Sequence, residues 1–181
     1  MSSKENSSII LETERLILRR QQATDIAPLV DLWADPEVTR YMGGPRDRDW
    51  LQSVFEETAQ DPCAERYDLW PVIEKETDQV VGHCGLLDKE VEGRTEIELN
   101  YILVSSAWGK GYATEMGLAL KRYAFEGMRI HRLIALIEPE NGASERVAVK
   151  IGMRLEKEVV RPGGALRKVY AIPAKDEGAA A

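Results

Sequence analysis

Short apolar or alternating segments recur along the chain and predict the strands of a sheet. Polar stretches at 74–79 and 89–94 are typical of the hairpin turns between three of them. Pro71 predicts an edge position for its strand, because proline removes a donor from the hydrogen-bond ladder. The predicted strands are 11–19, 69–73, 80–87, 96–104, 133–137, 154–160 and 166–172.

Four other segments carry apolar side chains at the spacing of amphipathic helices. The first follows a Thr24 cap and places Trp33 on its apolar face, and the second places Trp50 there. Antiparallel strands followed by a β-α-β-α-β half predict a mixed, mostly antiparallel sheet flanked by helices, in an α/β or α+β domain. The remaining predicted helices are 49–59 for the second, 114–125 for the third, and the segment from 141 or 142 to 151 for the fourth.

Length and composition favour one globular domain. The 181 residues are 44% hydrophobic and 30% charged, which is ordinary for a folded protein. We expect the domain to span 9–172, with a disordered N-terminus at 1–8 and a flexible tail at 173–181.

Charge and apolar patterning narrow the class of partner. A net charge of −7 and a pI near 5.0 argue against nucleic acid or an anionic membrane, which require clustered lysine and arginine. The N-terminus lacks the apolar core of a signal peptide, and no apolar run approaches the about 20 residues of a membrane span. These observations predict a cytoplasmic protein.

Cysteine and histidine are too few for a metal centre. Cys63 and Cys84 have no second pair beside them, which favours reduced thiols over a disulfide framework. His83 and His131 cannot form a histidine-rich site, and His83 is more often a strand residue than a catalyst. We therefore expect no metal.

The segment from Glu96 to Glu115 carries the chemical signal. A strand runs into a turn containing Gly109 and Gly111, and the turn opens a helix. Glycines let a ligand approach the backbone, and the unsatisfied N–H groups of a helix start attract anions. Lys110 adds a positive charge. The alternative is a turn without a ligand, and neither the Walker nor the full dinucleotide pattern is present.

The segment Trp108-Gly-Lys-Gly-Tyr-Ala-Thr-Glu115 resembles the coenzyme A loop of the GCN5-related N-acetyltransferases, whose pattern is Arg/Gln-x-x-Gly-x-Gly/Ala. Trp108 takes the first place, a form that is similar to the ribosomal-protein N-terminal acetyltransferase branch. Further matches follow in family order across roughly residues 11–172. They are Glu12-Thr-Glu-Arg-Leu-Ile-Leu-Arg19, Asp35-Pro-Glu-Val38, Asn141-Gly-Ala-Ser144 and Lys150-Ile-Gly-Met153.

The resemblance implies a single-domain fold whose fourth and fifth strands splay apart to admit acetyl-CoA as co-substrate. It assigns backbone hydrogen bonds to the pantetheine arm at Leu103 and Val104, and places Asn141 and Ser144 beside the arm and the thioester. The residues it implies for the pyrophosphate are Gly109, Lys110, Gly111, Tyr112, Ala113 and Thr114, and it adds Trp108 to the residues that bind the cofactor.

An amine must lose a proton to react, so a base is needed. Glu98 is the candidate, on the strand face that it shares with Glu96 and Asn100. The alternative is that Glu98 is a solvated strand residue or a structural acceptor. Asn100 stands where the branch often has glycine, which would narrow the acceptor cleft.

Ser144 is the candidate to hydrogen-bond the departing sulfur or a water that protonates it. Many relatives use a tyrosine lower in this helix, but residues 149–151 contain none, and a serine in its stead resembles the ribosomal-protein branch. The alternative is that Asn141 caps the helix and Ser144 only satisfies its first turn. Trp33, Tyr41 and Met42 flank the acceptor side in the family, although the spacing of Trp33 also fits core packing.

Together these residues predict an N-acetyltransferase that uses direct attack in a ternary complex. The acceptor would be a protein N-terminal α-amine or a small-molecule amine, and the protein a monomer or homodimer. The alternative is a non-catalytic acyl-CoA-binding or regulatory module with the same fold.

Overall fold

Eight strands form one mixed sheet in the computed structural model, which describes residues 8–174. Their spatial order is β1-β2-β3-β4-β5-β6-β8-β7, and every neighbouring pair is antiparallel except β5 and β6. The predicted single-domain mixed sheet is confirmed. The strands are β1 Ile9–Glu12, β2 Leu16–Arg19, β3 Leu69–Glu74, β4 Gln79–Val91, β5 Arg94–Leu103, β6 Arg132–Ile137, β7 Arg154–Val160 and β8 Leu166–Pro173.

Helices cover both faces of the sheet. Two of them, α1 (Ile26–Ala34) and α2 (Arg48–Gln60), pack against Ile102 of β5. The other two, α3 (Tyr112–Arg122) and α4 (Gly142–Lys150), bury their apolar sides in a larger cluster on the opposite face. Residues 112–173 therefore supply the helices of one face together with strands β6 to β8.

Strands β5 and β6 separate almost as soon as they meet. Their pairing consists of Glu98 opposite Ile134, although β5 continues to Leu103 and β6 to Ile137. The predicted splay is confirmed. The splayed strands are the fifth and sixth here because the predicted strand 11–19 is two strands. Thr13 divides it, since its hydroxyl accepts from Leu16 N at 3.0 Å and closes a turn.

The first two helices depart from the predicted caps. The Thr24 cap is wrong, because α1 begins at Ile26 after a short 3₁₀ turn in which Asp25 accepts from Gln22 N at 2.7 Å. Trp50 was expected on the apolar face of α2 but is 55% exposed. Its backbone N–H donates to the cap residue Asp47, so it lies in the solvated first turn of α2.

Two predictions in the antiparallel half also need correction. β3 lies between β2 and β4, so it is not an edge strand. Pro71 is tolerated because it lies just beyond the last β2 pair, Leu18 with Val72. The turn placed at 89–94 is shorter, since β4 runs to Val91 and the chain reverses at Glu92 and Gly93. Both have positive φ, as a two-residue type I′ turn requires.

The third helix is also displaced from its predicted range. It spans Tyr112–Arg122 and passes into a π-helical turn that ends at Gly127. Met116 and Leu120 are fully buried on its inner side. The helix therefore starts directly at the glycine turn, which puts its first N–H groups at the candidate site.

The ends of the predicted domain are close to those of the paired structure. Ser8 O accepts from Arg20 N, and Ala174 N donates to His131 O. The predictions for 1–7 and 175–181 lie outside the described residues. Within 8–174, no helix has the length and apolarity needed to cross a bilayer. The same part of the chain contains no group of three or more potential His, Cys, Asp or Glu metal ligands.

Candidate active site

A cleft of about 430 Å³ opens where β5 and β6 separate. Its volume is in the range of small-molecule sites. It brings together most of the residues predicted from the sequence, from the glycine turn, the two strands, α4 and the segment after α1. Those of the predicted site residues that line it are Tyr41, Met42, Glu98, Asn100, Leu103, Trp108, Gly109, Gly111, Tyr112, Ala113, Thr114, Asn141 and Ser144.

The glycine turn has the backbone that the motif predicts. Gly109 has a φ of +74° and Gly111 a φ of +83°, a region that other residues rarely adopt. Gly111 is the N-cap of α3, so the amides of Tyr112, Ala113 and Thr114 start the helix without intrahelical acceptors. These donors and the helix dipole make the turn an anion site.

The turn is fixed from outside by Arg15, which the sequence analysis did not single out. Its guanidinium donates to Lys110 O at 2.8 Å and forms an ion pair with Glu115 at 2.5 Å. It also lies over the Tyr112 ring, 4.6 Å from the centroid. Arg15 lies in the segment 12–19, the first of the motifs that resemble the family, and this motif could have identified it.

Lys110 is turned towards β3. Its ammonium lies 3.3 Å from Glu74, which also accepts from the Tyr112 hydroxyl at 2.5 Å. Hydrogen bonds from Tyr112 and Thr77, followed by Lys110, hold the pKa of Glu74 at about 2. Glu74 therefore stays ionised, and its negative charge neutralises the positive charge of Lys110. The backbone amides are the donors that the turn directs at the cleft.

The edge of β5 that faces the splay is defined by its hydrogen bonds to β4. Val104 N donates to Val81 O at 3.0 Å, and Val104 O accepts from Ala107 N. Both backbone groups of Val104 are thus used within the chain. Because the bonding direction alternates along a strand, Tyr101 and Leu103 direct their amides towards β6. The Leu103 carbonyl accepts from the indole of Trp108 at 2.9 Å.

Glu98 lies at the vertex of the splay with its side chain 7% exposed. It accepts from Leu136 N at 3.3 Å, and Lys89 Nζ is 3.9 Å away. Burial raises the pKa of this carboxyl, while Lys89 and the Leu136 amide oppose the rise. Glu98 is therefore not a solvated strand residue. It accepts a hydrogen bond from β6, as the structural alternative predicted, and it also borders the cleft.

Asn100 follows Glu98 on the same face of β5. Hydrogen bonding from Asn100 also lowers the pKa of Glu98. The other end of its amide, Oδ1, is buried and has no hydrogen-bond partner within residues 8–174. A buried acceptor without a hydrogen-bond partner lowers the stability of the fold. Such an atom in a cleft is therefore a candidate for contact with a ligand.

The start of α4 forms the opposite wall. Asn141 Oδ1 accepts from Ser144 N at 3.1 Å, so Asn141 caps the helix as one alternative predicted. Ser144 borders the cleft, and its carbonyl accepts from the Tyr101 hydroxyl at 3.1 Å. Tyr101 is a cleft residue that the sequence analysis missed. Tyr101 lies two residues before the predicted Leu103 and so shares its strand face, which was the signal that could have found it.

Two of the three predicted acceptor-side residues, Tyr41 and Met42, border the cleft. Trp33 lies apart in the cluster beneath α1 and α2, where its indole donates to His83 Nδ1 at 3.1 Å. This is the core position that its spacing also allowed. Burial lowers the pKa of His83 to about 4, so the imidazole is neutral and structural. Phe55 packs edge-on against it.

Comparison with known proteins agrees with this geometry. Residues 15–154 match the family model described as "Acetyltransferase (GNAT) domain". An uncharacterized N-acetyltransferase, p20 of Bacillus licheniformis, is 35% identical over 171 residues, covering 88% of this chain and 92% of that protein. The protein YkkB of Bacillus subtilis is 33% identical, covering 85% and 90%.

Solved structures share the fold. A GNAT-family acetyltransferase from Bacillus anthracis superposes with a TM-score of 0.77 at 28% identity, covering 91% of this chain and 98% of that one. A spermidine N-acetyltransferase from Vibrio cholerae, solved with CoA and spermine, gives 0.73 at 18% identity, covering 90% and 97%. The chain belongs to the GNAT family of acetyltransferases, which use acetyl-CoA, and is itself an N-acetyltransferase.

Proposed function

We propose that the cleft between β5 and β6 binds acetyl-CoA and transfers its acetyl group to a primary amine by direct attack in a ternary complex. The acceptor is a protein N-terminal α-amine or a small-molecule amine. One observation carries the proposal: the glycine turn with its helix start and the buried carboxylate of Glu98 line the same cleft.

The pyrophosphate end of acetyl-CoA binds at the glycine turn. The amides from Gly109 to Thr114 surround an anion without help from a basic surface, which suits a protein with a net charge of −7. Lys110 is paired with Glu74, so it contributes by holding the turn. Trp108 also borders the cleft.

The pantetheine arm of acetyl-CoA then lies along the edge of β5 that does not pair with β6. The amides of Tyr101 and Leu103 point into the splay, where an extended chain can take the place of the missing β6 ladder. One of these amides serves the oxyanion that forms when nitrogen attacks the thioester carbonyl. A fixed backbone donor of this kind is worth about 2.7–4 kcal/mol of transition-state stabilisation.

Glu98 takes up the proton that the attacking amine releases, directly or through water. Its raised pKa brings it closer to the working pH, which makes it a better general base than a solvent-exposed glutamate. Lys89 and the Leu136 amide keep the ionised form accessible. The nitrogen–carbon bond forms, the carbon–sulfur bond breaks, and the sulfur leaves with its electron pair.

We assign Ser144 and Asn141, which both border the cleft, to the leaving end of the reaction. Asn141 already caps α4, so the Ser144 hydroxyl is not needed for that purpose. We assign it a hydrogen bond to the sulfur or to a water that protonates it.

The acceptor enters beside Tyr41 and Met42, next to Asn100. These residues come from the segment after α1 and from the face of β5 that carries Glu98. An amine that enters here would approach on the side of Glu98, which supports its assignment as the general base.

A panel of acceptors tests this function. Acetyl-CoA consumption is measured with peptides of varied N-terminal residues and with small amines and polyamines, at matched amine concentration. The proposal predicts an amine-dependent rate for one class. Slow thioester hydrolysis that no amine accelerates would instead support a non-catalytic acyl-CoA-binding module.

A further inference from the structure

Arg15 lies behind the glycine turn and is itself held in place by three segments of the chain. Its Nη1 donates to Lys110 O at 2.8 Å, and its Nε donates to Glu115 at 2.7 Å. Its backbone N–H also donates to Glu115, and its carbonyl accepts from Lys75 N. The turn between β1 and β2, the residue after β3 and the first turn of α3 therefore fix the position of the guanidinium.

The contact with Lys110 O determines the direction of the next backbone amide. The peptide bond between Lys110 and Gly111 is trans and planar, so its C=O and its N–H point in opposite directions. Because the carbonyl points to Arg15, the N–H of Gly111 points away from Arg15, and Gly111 is one of the residues that border the cleft. Within residues 8–174, no backbone carbonyl accepts from this N–H. It is a free donor whose direction depends on Arg15.

We propose that Arg15 is a positioning residue that orients the Gly111 amide towards the pyrophosphate of acetyl-CoA. The inference rests on the proposed function, in which the glycine turn binds that pyrophosphate. Arg15 acts through the peptide bond and does not touch the thioester, so it sets the affinity for acetyl-CoA and not the rate of the chemical step. A planar guanidinium suits this task because it donates to two acceptors in fixed directions, here Lys110 O and Glu115.

The ion pair with Glu115 is a second effect of Arg15 that the test must separate from the first. Glu115 lies in the first turn of α3, where an unpaired carboxylate would repel an anion bound at the helix start. The guanidinium approaches this carboxylate to 2.5 Å and compensates its charge. Removing Arg15 alone therefore changes both the direction of the amide and the charge beside it.

The test compares acetyl-CoA with acetyl-pantetheine, which has the same thioester and arm but no pyrophosphate. Arg15→Met removes the guanidinium and retains an unbranched side chain. It should raise the Kd and the KM of acetyl-CoA about 10-fold to 10²-fold, the range for one lost hydrogen bond to a charged group, and leave kcat unchanged. The KM and kcat of acetyl-pantetheine should not change, because this thioester has no phosphate for the Gly111 amide to bind.

Two further variants separate orientation from charge. Combining Arg15→Met with Glu115→Gln removes both charges and keeps the net charge of −7, yet the loss of affinity should persist at about 10-fold because nothing orients Lys110 O. Lys157→Met removes a cation of equal side-chain exposure, 43% against 44%, whose partner Glu92 lies in the β4–β5 turn. It should change the affinity for neither thioester. Thermal melting without ligand verifies that all the variants fold.

An unchanged Kd of acetyl-CoA in Arg15→Met would overturn the proposal. Full affinity in the double variant would do the same, because charge alone would then explain the effect of Arg15. Equal losses with acetyl-pantetheine would also overturn it, since they would assign Arg15 to the fold of the whole cleft. A wild-type protein that shows this dependence on Arg15 but acetylates no amine would refute the proposed transfer alone. A wild-type protein that binds acetyl-CoA no tighter than acetyl-pantetheine would refute both.

Discussion

Replacing either glycine of the turn with alanine should abolish acetyl-CoA binding at a small cost in stability. An ideal Cβ at Gly109 meets no atom within 4 Å, and one at Gly111 meets only Arg15 Nη2 at 3.6 Å. Neither methyl group clashes inside the protein. Each would project from the backbone whose amides form the anion site, and would keep a phosphate from approaching them.

The cost in stability comes from the positive φ alone. Holding alanine at +74° or +83° requires about 1–2 kcal/mol, which corresponds to a decrease in Tm of about 2–8 °C for a chain of this size. Wild-type protein at a hundredfold excess of acetyl-CoA over Kd should gain about 2.7 kcal/mol, or about 5–11 °C. The two effects are therefore separable in one thermal-shift assay.

Gly93→Ala is the matched control. Gly93 has a φ of +78° with nothing within 4 Å of an ideal Cβ, but it lies in the β4–β5 turn. The Gly93→Ala variant should lose the same amount of stability and retain the full increase in Tm with acetyl-CoA. A normal shift in Gly109→Ala and Gly111→Ala would refute the assignment of the turn, as would a larger shift with ATP or NAD than with acetyl-CoA in the wild type.

Glu98→Gln should lower kcat about 10²-fold to 10⁴-fold with little change in the Kd of acetyl-CoA, and the acid limb of the pH–rate profile should disappear; a retained limb would remove Glu98 from the mechanism. Asn141→Ala should destabilise the protein by about 0.5–2 kcal/mol through its lost cap, whereas Ser144→Ala should stay within about 0.5 kcal/mol and affect turnover, as denaturant unfolding and kinetics would show. His83 has a folded pKa of about 4 against 6.5, so it binds a proton more readily when unfolded, and stability present above pH 6.5 is lost as the pH falls towards 4. His83→Asn, whose Oδ1 can accept from Trp33, should flatten that part of the stability curve, and an unchanged slope would exclude His83 as its source.

Local patterns in the sequence predicted the elements that build the site. The glycine turn, the strand before it and the Asn141 cap depend on neighbouring residues, so spacing and residue type suffice to locate them. Trp33 shows the limit of such reasoning. Helical spacing identified its face, but only the packing of α1 and α2 against His83 decides that this face is core and not cleft.

Contacts between distant segments could not be predicted in the same way. Arg15 and Glu74 hold the glycine turn from sequence separations of 95 and 36 residues, and no pattern within a short window encodes those pairs. The two-stranded beginning of the sheet was missed because Thr13 has a strand-like residue type but uses its hydroxyl to close a turn. The contact of the Tyr101 hydroxyl with Ser144 could not be predicted either, because the two residues are more than 40 positions apart.

The central claim is that the splayed strands hold acetyl-CoA for attack by an amine. A single-turnover experiment tests it directly: the protein is loaded with less than one equivalent of acetyl-CoA and mixed with the preferred amine or with buffer. The account predicts that CoA thiol and acetylated amine appear together, at a rate that rises with amine concentration and falls in Glu98→Gln. Release of CoA thiol at the same rate with and without amine would contradict it.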